Sequence, residues 1–575
     1  MQGHFVLVLF VVAAMTAVPG CSASSRGADR NGPGGGDATA QFQALRAAHI
    51  ERFQELEAQW NLAWWEAELS GDAEDFQRSQ ELEIAVRRLH SDRETFETLR
   101  RLRESGQITD PTLQRSLETL YLAFEENQID DALMQRIVAL QTELEQTFNT
   151  FRPVVDGEEV TANQIREVLG DSDDSARRRV MWDASKEVGT RLAERLVELA
   201  RLRNQAARAL GYDDYYVMML HFREQDPAEV QGVFDELAEM TDEPFRQAKA
   251  ELDARLAERF GIPVADLRPW HYADPFFQES PGEGIDLDPL FASDDPQHIV
   301  AISTRFYEGI GLPVVSEILA RSDLFEREGK VEHAFCTHID RRGDVRVLTN
   351  LRNNEQWMGT LMHELGHGVY DAYLDQDVLY ELREPAHTFT TEGVAELFGT
   401  LTRDPAWLRS NLTIPADAPQ DLDDLVRAEH RMDLLIFARW SLVMVNFERQ
   451  FYADPEQDLE DLWWDVVERY QGLHRPDSLE GRADFATKIH LVVAPVYYHN
   501  YMLGRMYAAQ LRHRLSEEVP ATMDGGTFDM TGHPEVGAYL IEHVFQPGAQ
   551  HTWQEFVRQS TGEDLTARYF AEAIR

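Results

Sequence analysis

The sequence is poor in cysteine, in lysine and in positive charge overall. It contains two cysteines and four lysines among its 575 residues. So few cysteines exclude a small scaffold held together by several disulfides. The formal net charge is −46, because 101 Asp and Glu face only 55 Lys and Arg. A chain with this charge repels phosphate backbones, so nucleic acid is not an expected partner.

The N-terminal apolar run, residues 5–18, is too short to span a bilayer comfortably. It is typical of a secretory signal peptide, here over residues 1–20. The run ends in Ala-Val-Pro-Gly-Cys at residues 17–21, which resembles a bacterial lipoprotein cleavage site. We therefore predict an exported protein of the bacterial cell envelope. Its membrane contact would be a lipid on Cys21, followed by a flexible tether over residues 21–40. The alternative is a plain signal peptide or a short anchor helix.

The rest of the chain has a globular composition, with 43% hydrophobic and 10% aromatic residues. Apolar residues recur at steps of three and four over residues 41–104, 112–148 and 174–209, which predicts helices. No fixed-period repeat is present. We predict a mainly α catalytic domain over residues 41–575, with the N-terminal helices, about 41–150, acting as a lid.

One segment has the pattern of β-strands instead. Residues 333–339 and 345–348 are compatible with strands, and Arg-Arg-Gly-Asp at 341–344 is a plausible turn between them. The segment predicts a small antiparallel hairpin whose edge could bind a peptide as an added strand. Cys336 lies in the first of these runs, where a buried inert thiol is favoured over a nucleophile.

The most informative motif is His-Glu-Leu-Gly-His at residues 363–367. The surrounding segment, residues 356–374, is helical by its apolar stripe. On a helix, His363 and His367 project from one face and can share a zinc ion. Glu364 is then placed to act as the general base that deprotonates a water molecule.

A third zinc ligand is expected from Thr-Glu-Gly-Val-Ala-Glu-Leu-Phe at residues 391–398, which is also helical by pattern. Glu392 and Glu396 are four residues apart and can face one direction. We assign Glu392 as the ligand and Glu396 as the acceptor of a hydrogen bond from a ligand imidazole. Two alternatives stay open: Glu396 as the ligand, or two solvated helix acids.

With these motifs the chain resembles the angiotensin-converting enzyme family, the peptidyl-dipeptidase A group of zinc metallopeptidases. That family has His-Glu-x-Gly-His followed by a Glu-Ala-Ile-Gly-Asp helix, which here read His-Glu-Leu-Gly-His at 363–367 and Glu-Gly-Val-Ala-Glu at 392–396. The resemblance implies one zinc ion per chain. It also implies a large two-lobed helical metallopeptidase with a deep central channel and the small hairpin near the active site.

The resemblance extends to residues that would contact a peptide. His333 and Ala334 stand thirty residues before the first zinc histidine, as a His-Ala pair does in the family. They are implied to bind the substrate backbone. The resemblance also implies roles for four residues further along the chain. Lys488 and Tyr498 would bind the C-terminal carboxylate of the substrate. His490 and Tyr501 would donate hydrogen bonds to the scissile carbonyl. A core aromatic cluster is an equal explanation for Tyr498 and its neighbour.

Two departures from the family affect specificity. The family glutamine that helps to bind the substrate carboxylate has Trp-His-Tyr at 270–272 as its nearest match, so we expect no such glutamine. The family arginine that binds chloride is replaced by His499 or Asn500, so chloride activation is not expected.

The sequence therefore predicts a zinc-dependent peptidase that hydrolyses short peptides from the C-terminus as a peptidyl-dipeptidase. A carboxypeptidase or an oligopeptidase of the same fold is the alternative within the enzyme class. A catalytically inactive, zinc-containing peptide-binding lipoprotein is the alternative outside it, and a metal-free helical adaptor is a further one. Peptide substrates are the predicted partners, and no obligate protein partner is inferred.

Overall fold

The computed structural model describes residues 35–281 and 285–574. The predicted signal peptide, the lipidated Cys21 and most of the tether lie outside the described residues. Within them the chain forms 22 α-helices and three two-stranded antiparallel sheets. The predicted mainly α fold is confirmed.

The N-terminal half is a series of helices interrupted by one short hairpin. Its helices are α1 (Gly35–Ser70), α2 (Ala73–His90), α3 (Arg93–Ser105), α4 (Pro111–Glu126), α5 (Asp131–Thr150), α6 (Ala162–Asp171), α7 (Ser175–Leu210), α8 (Tyr215–Phe222) and α9 (Pro227–Phe260). Its strands are β1 (Val154–Val155) and β2 (Glu158–Glu159).

The C-terminal half carries the other two hairpins. Its helices are α10 (Asp288–Phe291), α11 (His298–Gly309), α12 (Val315–Arg321), α13 (Glu355–Ala372), α14 (Thr388–Gly399), α15 (Pro405–Asn411), α16 (Leu422–Ala453), α17 (Leu459–Gln471), α18 (His490–Val493), α19 (His499–Glu518), α20 (Pro534–Leu540), α21 (Trp553–Thr561) and α22 (Arg568–Ala573). Its strands are β3 (Phe335–His338), β4 (Val345–Leu348), β5 (Met523–Asp524) and β6 (Thr527–Phe528).

The predicted hairpin before the metal helix is present as β3 and β4, which are antiparallel with Phe335 opposite Leu348 and His338 opposite Val345. β4 has the predicted bounds, whereas β3 begins two residues later than predicted. The turn uses two left-handed residues, Arg341 and Gly343. Glycine adopts this conformation without a steric cost.

The first helix begins at Gly35, so the predicted tether, residues 21–40, ran six residues too far. Ala38 and Phe42 explain the difference, because both are buried among α1, α3 and α4. These N-terminal helices form an apolar cluster separate from the main core, and this cluster also includes Tyr380, which lies between α13 and α14 in the sequence.

The other end of α1 contacts the β3–β4 hairpin through Trp64 and Trp65, whose rings lie 4.4 and 5.9 Å from the Phe335 ring. A cavity of about 1500 Å³ lies between these elements. Residues of α1, α2 and α4 line one side of it, and residues of the hairpin and α13 line the other. No described helix is long and apolar enough to cross a membrane.

Candidate active site

Both histidines of the motif, His363 and His367, lie on the largely buried helix α13. It starts at Asn354, whose side chain accepts a hydrogen bond from the Trp357 amide. One apolar stripe anchors it in the core, and every member is fully buried: Met358, Leu361, Met362, Leu365 and Val369. The rings of His363 and His367 lie beside this stripe with centroids 4.9 Å apart. The predicted helix over residues 356–374 is thus present with slightly different ends.

Glycines allow α14 to approach this helix closely, and α19 to approach α14. A Cβ on Gly366 would lie 2.8 Å from the Ala395 Cα, and one on Gly399 would lie 3.0 Å from the His363 Cβ. A Cβ on Gly504 of α19 would lie 3.0 Å from the Glu392 Cβ. Real Cβ atoms do not approach to 2.8 Å, so Gly366 limits the separation of α13 and α14, and a Cβ at Gly399 or Gly504 would require its neighbour to shift by a few tenths of an ångström.

The close approach brings His363, His367 and Glu392 together, as the sequence predicted. One ligand atom from each lies within 4.8 Å of the others, and the His363 Nε2 is 3.8 Å from a Glu392 carboxylate oxygen. Ligand atoms each about 2 Å from one ion fall within such a spacing, and two histidines with one carboxylate are a frequent catalytic zinc set. The residues present therefore fit the zinc ion that the motif implies.

We expect Gly366→Ala to lower zinc affinity and peptidase activity together, because α14 must move away from α13 and carry Glu392 with it. A loss of about 10-fold or more in zinc affinity is expected. Zinc titration monitored by competition with a chromophoric chelator measures it. The matched control is Gly232→Ala in α9, where a Cβ meets nothing within 4 Å. An unchanged zinc affinity in Gly366→Ala would show that the helix separation is not set there.

The hydrogen bond that orients one ligand comes from a residue the sequence analysis missed. The His367 Nδ1 is 2.7 Å from the Thr391 hydroxyl, which leaves Nε2 for a metal. Glu396, predicted to support a ligand imidazole, lies 3.4 Å from the Arg505 Nε. Thr391 directly precedes the candidate ligand Glu392 in the sequence, and this adjacency could have pointed to a supporting role for Thr391.

Glu364 is buried, with 2% exposure. Its burial, and next the charge of Glu392, raise the pKa of Glu364 to about 8. Burial, and next the charge of Glu396, also raise the pKa of Glu392 to about 8. The main-chain N–H of Cys336 donates a hydrogen bond to Glu364 and ties the base to strand β3. A bound cation favours the ionised form of both carboxylates.

Lys488 lies in a second part of the site. Its Nζ donates a 2.7 Å hydrogen bond to the side-chain oxygen of Gln278. The expectation that no glutamine accompanies this lysine is therefore wrong: Gln278 stands beside it, rather than any residue at 270–272. The loop that carries Gln278 is held by Asp274, whose carboxylate accepts hydrogen bonds from the amides of Phe276, Gln278 and Glu279.

Aromatic rings enclose the Lys488 ammonium. Its Nζ lies 5.1 Å from the Phe276 ring, 5.0 Å from Trp440 and 5.5 Å from Tyr498. The Tyr498 hydroxyl accepts a 2.6 Å hydrogen bond from the Trp440 indole. Burial lowers the pKa of Lys488 to about 7. A cation held this way in an apolar enclosure attracts a carboxylate strongly.

The remaining predicted residues connect these two parts. The His490 and Tyr498 rings lie 5.0 Å apart, and the Tyr501 ring lies 5.3 Å from Tyr498 and 5.2 Å from Tyr497. The sequence analysis assigned no site role to Tyr497 and gave a core aromatic cluster as an equal explanation for it and Tyr498. Tyr497 lines the cavity together with His367 and Glu392, so it lies beside two of the candidate metal ligands.

On the hairpin, the cavity is lined by Cys336, Thr337 and His338 of β3 and by Arg341 of the turn. His333 is exposed and Ala334 buried, and both precede the first residue of β3. The structure thus places strand β3 in the same cavity lining as two candidate metal ligands, His367 and Glu392, while His333 is not among the lining residues.

Comparison with known proteins identifies the family. The sequence model for peptidase family M2, described as angiotensin-converting enzyme, matches residues 39–261 and 273–571. The chain belongs to the angiotensin-converting enzyme family. Family members are expected to share the helical architecture, and the match covers every residue of the candidate site, from the Gln278 loop to Tyr501.

Three relatives share between 22% and 26% sequence identity with this chain over the aligned residues. Carboxypeptidase 1 of Bacillus subtilis (strain 168) is 26% identical over 268 residues, which is 42% of this chain and 52% of the relative. Thermostable carboxypeptidase 1 of Pyrococcus furiosus is 22% identical over 274 residues, with the same two shares. The inactive angiotensin-converting enzyme-related protein of Caenorhabditis elegans is 22% identical over 182 residues, 30% of this chain and 20% of that protein. The chain spans about half the length of the first two.

Proposed function

We propose that this family member is a zinc-dependent peptidase that shortens peptides from their C-terminal end. One observation carries the proposal: the tyrosine rings of residues 497, 501 and 498 link a His-His-Glu triad that has a buried acid beside it to a buried lysine bonded to a half-buried glutamine, a pair suited to a terminal carboxylate. Hydrolysis needs the first group, and recognition of a chain end needs the second. The proposed cofactor is one zinc ion per chain, and peptides are the proposed partners.

His363, His367 and Glu392 would hold the zinc ion, which when bound supplies a Lewis acid that polarises a carbonyl and lowers the pKa of a water. Glu364 takes the proton of the attacking water and passes it to the departing amine. His490 and Tyr501 donate hydrogen bonds to the carbonyl oxygen as negative charge develops there. The β3 edge at residues 336–338 binds the substrate main chain as an added strand.

The terminal carboxylate of the peptide would bind Lys488 and Gln278, with Tyr498 beside them. Gln278 accepts the lysine hydrogen bond in the free protein. A substrate carboxylate would share that ammonium and receive a second hydrogen bond from the glutamine amide. The pair therefore supplies a reason for cleavage at a fixed distance from the C-terminus.

Two cleavage modes fit this arrangement. Release of a dipeptide is supported by the resemblance of the motifs to the peptidyl-dipeptidase A group, and the proposed carboxylate-binding pair, Lys488 and Gln278, is compatible with it. Release of a single residue is favoured by the two relatives that are named carboxypeptidases. The length of the released fragment distinguishes these modes.

Mass spectrometry of the products from one peptide, offered with a free and with an amidated C-terminus, tests the proposal. We expect dipeptide release from the free acid and a strong loss of cleavage with the amide. Release of single residues would establish the carboxypeptidase mode. Equal cleavage of both peptides, or internal cleavage, would rule out anchoring at the terminal carboxylate.

The location remains a proposal drawn from the sequence alone. Export and a lipid anchor at Cys21 are proposed from the signal-like run and the cleavage-site resemblance in residues 1–21.

A further inference from the structure

Val496 has a backbone conformation that valine rarely adopts. Its φ is +53°, in the left-handed region, where a β-branched side chain is sterically disfavoured. The side chain is fully buried in the main core. Among residues 35–281 and 285–574, the other non-glycine residues with positive φ are not β-branched: Asp156, Glu224, Phe277 and Arg341. Strain of this kind persists only where neighbouring groups enforce it.

Two side chains from different helices hold the polar groups of Val496. Its N–H donates a 2.7 Å hydrogen bond to the Glu448 carboxylate of α16. Its carbonyl accepts a hydrogen bond from the guanidinium of Arg223, which directly follows α8. Glu448 is 3% exposed, so this carboxylate is committed to the interior. We call these two contacts the Val496 clamp.

The residues that follow the clamp lie in the two parts of the active site. Tyr497 lines the cavity with His367 and Glu392, and the Arg223 guanidinium carbon lies 5.5 Å from its ring. Tyr498 turns to the Lys488 enclosure, where its hydroxyl meets the Trp440 indole. A rotation of the Val496 backbone would displace both tyrosines, because they are joined to it directly.

We propose that Glu448 and Arg223 are positioning residues, which hold Val496 in its left-handed conformation and thereby place Tyr497 beside the metal ligands and Tyr498 beside Lys488. The inference rests on the proposed peptidase function for its kinetic consequence, but the clamp itself does not depend on that function. Without the clamp, Val496 is expected to relax to a negative φ. Glu448 is not among the residues that line the cavity, whereas Arg223 is, so Glu448 gives the cleaner test of an indirect effect.

Glu448→Leu removes the acceptor and keeps a buried side chain of similar size, while Glu448→Gln keeps a side-chain oxygen in its place. In Glu448→Leu we expect kcat to fall by about 10²-fold, as for other small displacements of catalytic groups. We also expect the preference for a free over an amidated C-terminus to shrink, because Tyr498 moves as well. Zinc content should equal that of the natural protein. Glu448→Gln should recover most of the activity and the preference.

A crystal structure of Glu448→Leu tests the clamp without any activity. We expect a negative φ at Val496 and displaced Tyr497 and Tyr498 rings. An unchanged positive φ, or unchanged kinetics in the folded, zinc-loaded variant, would overturn the inference. If Glu448→Leu does not fold, Arg223→Met removes the other contact and is judged by the φ of Val496 in its crystal structure, because Arg223 itself lines the cavity. A natural protein that cleaves no peptide would refute the proposed function, while the crystal structure would still decide on the clamp.

Discussion

Glu364→Gln is expected to retain zinc and to lose about 10³-fold in kcat, within the range that a positioned general base contributes. Glutamine preserves the shape of the side chain but cannot take a proton from water. The buried position of Glu364, with 2% exposure, leaves bulk water little chance to substitute for it. The raised pKa of this carboxyl, which burial causes, marks it as a group that can both accept and return a proton.

Steady-state kinetics on a peptide, with zinc measured by mass spectrometry of the metal, separates loss of the base from loss of the metal. The matched control is Glu355→Gln, nine residues earlier on the same helix, where the acid is bonded to Arg403 and Thr402. It should keep nearly full activity. Full activity in Glu364→Gln would require a different base.

Lys488→Met is expected to lower kcat/KM for a peptide with a free C-terminus by about 10²-fold, since losing one partner of a buried charge pair costs about 2–5 kcal/mol. Cleavage of the amidated peptide should change much less, because that peptide never used the ammonium. Lys249→Met is the matched control. Lys249 is also buried, but it is bonded to Asp253 and Tyr272 and not to Gln278.

The same lysine predicts a pH dependence whose sign follows from its pKa. Burial lowers that pKa to about 7, so the ammonium is present below pH 7 and is lost as the pH rises above it. We expect kcat/KM for the free acid to decline above about pH 7, and the amidated peptide to lack this decline. Parallel profiles for the two substrates, or equal effects of Lys488→Met and Lys249→Met on their ratio, would contradict a role for Lys488 at the carboxylate.

The three candidate metal ligands could be predicted from the sequence because they lie in two short helical segments. His363 and His367 are one helical turn apart, and Glu392 lies on the next helix, so two short periodic segments contain all three. The β3–β4 hairpin was accessible for the same reason, since strand alternation and a turn are short-range signals. The mainly α fold follows from periodicity repeated along the whole chain.

Gln278 was not accessible in this way. It reaches Lys488 across 210 positions of sequence because the Asp274 carboxylate folds its loop and the Gln471 amide donates to the Phe276 and Phe277 carbonyls. No periodicity records such contacts. The start of α1 was misjudged for a related reason: Ala38 becomes helical because α3 and α4 bury it, although the sequence around it is rich in glycine.

The glycine contacts at 366, 399 and 504 mean that α14 meets α13 and α19 through Cα and Cβ atoms, not through the flexible ends of side chains. The far end of a side chain can adopt another rotamer when its surroundings change, whereas a contact at Cα or Cβ can respond only if the helix moves. The spacing of the ligands is therefore insulated from substitutions in the surrounding core. The same design leaves those three positions almost no tolerance for any larger residue, so the metal geometry would be robust to most mutations and fragile to very few.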